Sequence, residues 1–288
     1  MSHAASFPTL PALPELWQTT LGWQPTPTQQ EQFQQLYAHI LDGNQRLNLT
    51  RITDSEEFWE KHLWDSMSGL VGVREWGLRA RDGGRGSGLE GSLEDSLAGS
   101  LESLAGSLES PPLFRLIDIG TGAGFPGIPA ALTLPLAQVT LLDSTRKKLA
   151  FLETVLTHLG VKNAQTLCDR AEAVGQTPQH REQYDGALLR AVAPAAVCAE
   201  YALPLLKLGG VAVLYRGQWS EAETAALEPV LEILGGKLEA IAPFTTPISR
   251  AARHCLYLRK TAPTPAEFPR SVGVPSQKPL ESAIRNLA

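Results

Sequence analysis

The apolar run Leu113 to Ile119 leads into three glycines, Gly120, Gly122 and Gly124, and Asp118 stands two residues before the first of them. Glycines after a strand let the backbone turn tightly and approach a ligand that a Cβ would exclude. The helix that follows such a turn presents free N–H groups to polar ligand atoms. A second acid, Asp143, ends the apolar run Val139-Thr140-Leu141-Leu142, where a carboxylate accepts hydrogen bonds from a ribose. The glycines fall as G-x-G-x-G, not as the G-x-G-x-x-G of the dinucleotide fingerprint. The chemistry in view is the binding of a nucleoside-bearing ligand.

The pattern D-x-G-x-G-x-G followed by a strand-end acid resembles the signature of S-adenosylmethionine-dependent methyltransferases. On that resemblance Asp118 hydrogen-bonds either the loop or the methionine amino group, or serves only as a buried acid that stabilises the turn. Asp143 is the ribose acceptor. Ser144 and Thr145 either touch the cofactor or cap the helix that begins at Arg146. Ala171 and Glu172, in the run Asp169-Arg170-Ala171-Glu172 after the third strand, either meet the adenine edge or belong to a plain loop.

Cations form a second group. Arg146, Lys147 and Lys148 open a helix, where the macrodipole disfavours positive charge, so a phosphate contact is set against a solvated face. With Arg46, Arg51, Lys61, Arg190, Arg216, Arg250 and Arg253 they supply enough charge near the expected strand ends for an RNA patch. The alternative is that strand-end arginines neutralise neighbouring acids. His62 either stacks or titrates, or simply packs on an amphipathic helix.

Two absences narrow the acceptor. Exocyclic-amine methyltransferases of nucleic acids carry an Asn/Asp-Pro-Pro-aromatic tetrad after the fourth strand, which here reads Arg190-Ala191-Val192-Ala193. Cytosine-C5 enzymes need a cysteine in a Pro-Cys context, whereas Cys198 follows Val197 inside an expected helix. No motif supplies a strong general base. A ring nitrogen with a free lone pair, such as guanine N7, needs none, and catalysis then rests on positioning and desolvation.

These residues need a frame to hold them, and the chain has ample length for one packed core at 288 residues. A net charge of −5 gives no general attraction to nucleic acid, so any such partner needs a local patch. Cys168, Cys198 and Cys255 are far apart, which points to reduced intracellular thiols and no metal site. Neither a signal pattern nor an apolar run near the roughly 18 residues of a bilayer span is present, so a cytoplasmic protein is expected.

Residues 1–78 read as an N-terminal helical extension. It has a helix over Thr28 to Leu41 that is capped by Thr28 and stopped by Gly43, and a second from Asp54 or Ser55 to about Leu70. Residues 79–112 contain a Gly-Ser-Leu-Glu repeat with too little apolar surface to offset ordering, and a disordered insert is expected. Residues 113–260 alternate strands (Leu113–Ile119, Val139–Asp143, Ala164–Cys168, Gly186–Arg190, Val211–Tyr215) with helices (Gly127–Leu134, Thr145–Leu159, Ala195–Leu206, Ser220–Leu234). They close on Lys237–Phe244 and His254–Arg259 with no helix between. The pattern predicts an α/β fold, a Rossmann-like seven-stranded sheet with a terminal antiparallel hairpin. Residues 261–288 form a Pro-rich tail.

Read in order, Asn48-Leu49-Thr50, His62-Leu63-Trp64-Asp65-Ser66, Ile117 through Pro129, Leu141-Leu142-Asp143-Ser144, Arg170-Ala171-Glu172 and Leu189-Arg190-Ala191 resemble the small-subunit ribosomal RNA methyltransferase G family, also called glucose-inhibited division protein B. The resemblance covers about residues 28–260, and Phe268-Pro269-Arg270 and Lys278-Pro279-Leu280 in the tail also fit. It implies a class I methyltransferase that moves a methyl group from S-adenosylmethionine to N7 of a guanine in 16S ribosomal RNA. The partner is that RNA or the small ribosomal subunit, with no membrane or metal, and a monomer is expected. It implies cofactor contacts at Gly120, Phe125, Asp143 to Thr145, Ala171, Glu172 and Arg190, with Asp118 and Gly122 beside them. Arg190 is the one catalytic candidate, and Arg46, Lys61, Arg146, Lys147, Arg216, Arg250 and Arg253 are the candidates for RNA contact. The alternatives are a methyltransferase of a small molecule or a protein, and a non-catalytic cofactor-binding regulator.

Overall fold

The computed structural model of the chain describes residues 7–71 and 114–285; the 79–112 insert and Leu113 lie outside them. Helix α1 (Pro14–Leu21) begins with proline at a first-turn position, where its missing N–H costs nothing, and ends on Gly22 in the left-handed region. It is a helix the sequence reading missed, because eight residues carry little periodicity. Its Trp17 is fully buried against Trp59, 4.8 Å between ring centroids, and against Phe33.

Helix α2 (Pro27–Leu47) differs from its expected bounds at both ends. Its N-cap is Thr26, not Thr28: the Thr26 hydroxyl accepts from the Gln29 N–H, and the Gln29 side-chain Oε1 accepts from the Thr26 N–H at 3.0 Å, a capping box. Nor does Gly43 stop the helix. It lies inside it, where an added Cβ would stand 2.4 Å from the Phe151 ring, so the glycine permits close packing on the neighbouring element. The stop is Asn48, at φ 48°.

Helix α3 starts as Ser55–Phe58, with the Asp54 carboxylate accepting from the Glu56 and Glu57 N–H groups, and continues through residues 65–71. Between these, Trp59–Trp64 winds as a wider π turn, which its amphipathic pattern did not announce.

Strands β1 (Phe114–Ile119), β2 (Ala137–Asp143), β3 (Ala164–Cys168), β4 (Tyr184–Arg190) and β5 (Leu206–Arg216) are parallel; β7 (Ala252–Lys260) runs antiparallel between β5 and β6 (Gly236–Thr245). The seven-stranded order is β3-β2-β1-β4-β5-β7-β6. This is the expected class I methyltransferase sheet. Helices α4 (Gly127–Thr133), α5 (Arg146–His158), α6 (Ala171–Gly175), α7 (Ala195–Ala202) and α8 (Glu221–Leu234) make the crossovers.

The two-residue period of the strands sorts side chains into two cores. Leu116, Leu188, Val213 and Tyr215 pack with α1 to α5, while Ile117, Ala187, Leu189 and Leu214 pack with α7 and α8. The tail adds α9 (Val274–Gln277) and α10 (Leu280–Arg285). It is anchored by Arg181, which donates to the carbonyls of Gly175, Thr264, Pro265 and Phe268, and by a buried Glu200 that takes two hydrogen bonds from the Arg270 guanidinium. Among the described residues no helix is long and apolar enough to cross a membrane.

If Thr26 is the cap, Thr26→Ala lowers unfolding free energy by about 1 kcal/mol while Thr28→Ala leaves it within a few tenths. Urea midpoints of the two variants check this, and the reverse ranking would restore Thr28.

Candidate functional site

The sheet order reverses between β1 and β4, and ligands of open parallel sheets bind outside the carboxyl ends at such a point. Register brings the site residues level there. Ile119 pairs with Leu142, so Gly120 follows beside Asp143; Arg190 pairs with Tyr215. The turn after β1 bends over β2, because the Gly120 and Thr121 N–H groups both donate to the Leu142 carbonyl, at 2.8 and 2.9 Å.

Two carboxylates fix this turn. Asp118 is buried, and its Oδ2 accepts from the Thr121 hydroxyl at 2.5 Å and from the Gly127 N–H, the first residue of α4, at 2.9 Å. Among the described residues its Oδ1 is buried with no partner. Burial pushes the carboxyl up to about 6, against the pull of those two hydrogen bonds and of the Arg190 charge. Asp143 bridges the turn to α5: Oδ2 accepts from the Gly122 N–H at 3.0 Å and Oδ1 from the Thr145 N–H at 2.8 Å. Gly122 has φ 58°, and a Cβ there would meet only its own turn's Gly120 carbonyl at 3.8 Å, so this stretch of backbone is open to a ligand.

Asp118, Gly120, Gly122, Asp143, Ser144 and Thr145 thus form one continuous rim. Thr145 is the N-cap of α5 but makes no side-chain cap, and Ser144 is exposed beside it. Ala171 opens α6 beyond β3. Other expected residues are turned elsewhere. The Phe125 ring is buried and stacks on His62 at 4.6 Å, so any ligand contact from Phe125 falls to its backbone. The Glu172 Oε1 accepts from Arg170, from the Tyr201 hydroxyl and from the Gly273 N–H. Burial alone would raise that carboxyl, but the Gly273 and Arg170 hydrogen bonds outweigh it and hold it below its usual range.

Arg190 leaves the end of β4 and meets α3: its Nη1 donates to the Lys61 carbonyl at 2.6 Å and to Asp65 Oδ2 at 3.0 Å, and its Nη2 lies 3.0 Å from His62 Nδ1. Asp65, which the residue-by-residue reading left without a role, is shared with Arg253 Nε at 3.5 Å. Nothing local in the sequence links residues more than 100 positions apart. Glu60 was missed for the same reason: it is buried and accepts from the Ile248 and Ser249 N–H groups, which ties the β6–β7 turn to α3.

The cations separate into two groups. Arg46 pairs with Asp42 and Lys61 with Glu57, while Arg216 donates to the Ala193 carbonyl and lies over the Trp219 ring. Arg146 and Lys147 are exposed at the start of α5, next to Thr145, and Arg250 is exposed in the β6–β7 turn. Among the described residues no cluster of three or more His, Cys, Asp or Glu side chains is placed to hold a metal.

A family profile described as GidB, rRNA small subunit methyltransferase G, matches residues 29–93 and 94–254. A ribosomal RNA small subunit methyltransferase G of Trichormus variabilis is 55% identical over 94% of this chain and 98% of its own length. One from Trichodesmium erythraeum is 51% identical over 95% of each chain. Among solved structures, a 16S rRNA (adenine(1408)-N(1))-methyltransferase mutant from Catenulisporales acidiphilia aligns at a TM-score of 0.45 and 14% identity, covering 53% of this chain and 87% of that one.

Asp118 sits above its unfolded value, so its contribution to stability is complete below about pH 3.8 and is lost as pH rises through about 6. Relative to Asp118→Asn, the wild-type protein therefore loses up to about 3 kcal/mol between those limits and nothing further above them. Unfolding measured at intervals across this range checks the sign, and a difference that grows in favour of wild type would refute it.

Proposed function

The chain belongs to the small-subunit ribosomal RNA methyltransferase G family, and on that basis we propose that it methylates N7 of one guanine in 16S ribosomal RNA with S-adenosylmethionine, as a cytoplasmic monomer. The observation that carries this reading is the glycine turn locked between Asp118 and Asp143 at the sheet's switch point. The residues fit the cofactor: a buried carboxylate oxygen of Asp118 has no partner among the described residues, and open backbone follows at Gly122. An ammonium group satisfies that oxygen, and a ribose diol suits the Asp143 carboxylate, whose oxygens keep lone pairs beyond the Gly122 and Thr145 bonds. Ala171 and the backbone of Glu172 flank the adenine, the Glu172 Oε1 being held by Arg170, Tyr201 and Gly273.

When bound, S-adenosylmethionine would supply a methyl group on a positively charged sulfur and leave as the neutral thioether, and a ring nitrogen with a free lone pair can accept that methyl without losing a proton. The chain therefore needs no general base, and its work is to orient the base and exclude water. Arg146 and Lys147 lie exposed beside Thr145 on this rim and Arg250 lies exposed in the β6–β7 turn, and these three meet the RNA backbone. Lys61, Arg46 and Arg253 have acidic partners already and contribute less.

The direct test incubates the protein with labelled S-adenosylmethionine and 16S RNA, or small subunits, lacking the modification, and maps the labelled base. Label at N7 of one guanine is expected. Cofactor binding without label on any RNA would overturn the substrate. Asp143→Ala is expected to weaken cofactor binding by about 10- to 100-fold in calorimetry, the cost of hydrogen bonds to a charged acceptor. The double variant Arg146→Ala with Lys147→Ala keeps cofactor affinity and reduces the salt dependence of RNA binding by about 0.7 to 0.9 per lost phosphate contact. An unchanged slope would remove α5 from the RNA surface.

A further inference from the structure

Three of the five N–H groups of Arg190 are committed inside the protein, two on Nη1 and one on Nη2. A guanidinium can only donate, so the His62 Nδ1 that faces Nη2 must accept. The ring proton therefore sits on Nε2, which lies 2.8 Å from the Thr50 hydroxyl and donates to it. That hydroxyl also accepts from the Ile52 N–H at 3.0 Å, and Thr50 is itself held by Asn44, whose Nδ2 donates to the Thr50 carbonyl and whose Oδ1 accepts from the Thr50 N–H. The ring is clamped on its faces too, stacked on Phe125 and edge-on to Phe58 at 4.9 Å. Burial and the adjoining Arg190 charge push His62 down to about 3, which keeps it neutral.

A packing residue would need none of this. A phenyl ring would fill the same space, yet both nitrogens of His62 are used, one toward the loop before α3 and one toward the end of β4. Asp65 completes the arrangement with a carboxylate that neutralises Arg190 at the same point.

We propose that His62 and Asp65 are positioning residues that hold the Arg190 guanidinium at the exit of β4, so that the N–H groups it leaves without a partner among the described residues face the point where cofactor and methyl-accepting guanosine meet. This rests on the methyl-transfer reading above. Side chains of the N-terminal helices thereby act on the reaction through Arg190 without touching the substrate.

The test compares initial rates against RNA concentration, cofactor affinity by calorimetry and thermal midpoints for wild type and a set of variants. His62→Phe keeps the ring packing, and its methylation rate at saturating cofactor is expected to fall about 10- to 100-fold, beyond any change in cofactor affinity. His62→Asn places an acceptor where Nδ1 stood and recovers most of that loss; His62→Gln reaches only Thr50 and does not. Asp65→Asn falls by about tenfold or more. Because the effect runs through Arg190, His62→Phe added to Arg190→Ala costs nothing beyond Arg190→Ala alone. Full activity of His62→Phe, equal losses for Asn and Gln that follow the thermal midpoint, or losses that multiply with Arg190→Ala would each overturn the role. A wild-type protein that leaves every RNA unlabelled would overturn the functional reading, and this role with it; labelled RNA with an active His62→Phe overturns the role alone.

Discussion

The Arg190 side chain is only 16% exposed, and most of the site follows from satisfying its guanidinium. A cation largely withdrawn from water needs acceptors close by, because an unpaired buried charge costs several kcal/mol. The acceptors come from a single helix: the Lys61 carbonyl, His62 and Asp65. Helix α3 must therefore lie across the carboxyl ends of the strands, and other polar contacts hold it there. The Tyr215 hydroxyl donates to the Ser66 carbonyl, and Glu60 captures the β6–β7 turn. The π turn of Trp59–Trp64 holds Lys61 and His62, two of the three residues that reach Arg190, a local departure from α geometry where such departures tend to serve a site.

The N-terminal helices are consequently a wall of the site and not an appendage. Phe125, within the glycine turn, is enclosed by His62 and Phe58 of α3, with the Arg190 guanidinium 5.6 Å from its centroid. Burial raises the Asp118 carboxyl, while the Thr121 and Gly127 hydrogen bonds and the Arg190 charge pull it down. Turn, helix and strand end share one electrostatic balance, so a change in any of them reaches the others.

Much of the frame was legible in the sequence. The strand and helix alternation, the closing hairpin, and the glycine turn with its two acids come from local patterns with periods of 2 and 3.6, which a chain displays without its partners. Other features were not legible, for definite reasons. Gly43 looks like a helix stop and is a contact surface, since what decides between the two is the Phe151 ring more than 100 residues away. Thr28 looks like a cap and is not one, because Thr26 has Gln29 at the spacing that returns its hydrogen bond. Glu172 is expected at an adenine edge or in a plain loop from its place after β3, and only the fold brings the Gly273 N–H of the tail to its Oε1.

What the sequence by itself determined is the kind of protein and the identity of the turn residues, because glycine conformational freedom, strand-end acids and hydrophobic period act over a few residues at a time. What only the tertiary structure decided is which polar groups are spent and which remain for a ligand. Arg190, Asp65, His62 and Thr50 lie on three segments of chain, and their pairing follows from burial: once the fold removes water from them, each donor must find the acceptor that packing has placed within 3 Å.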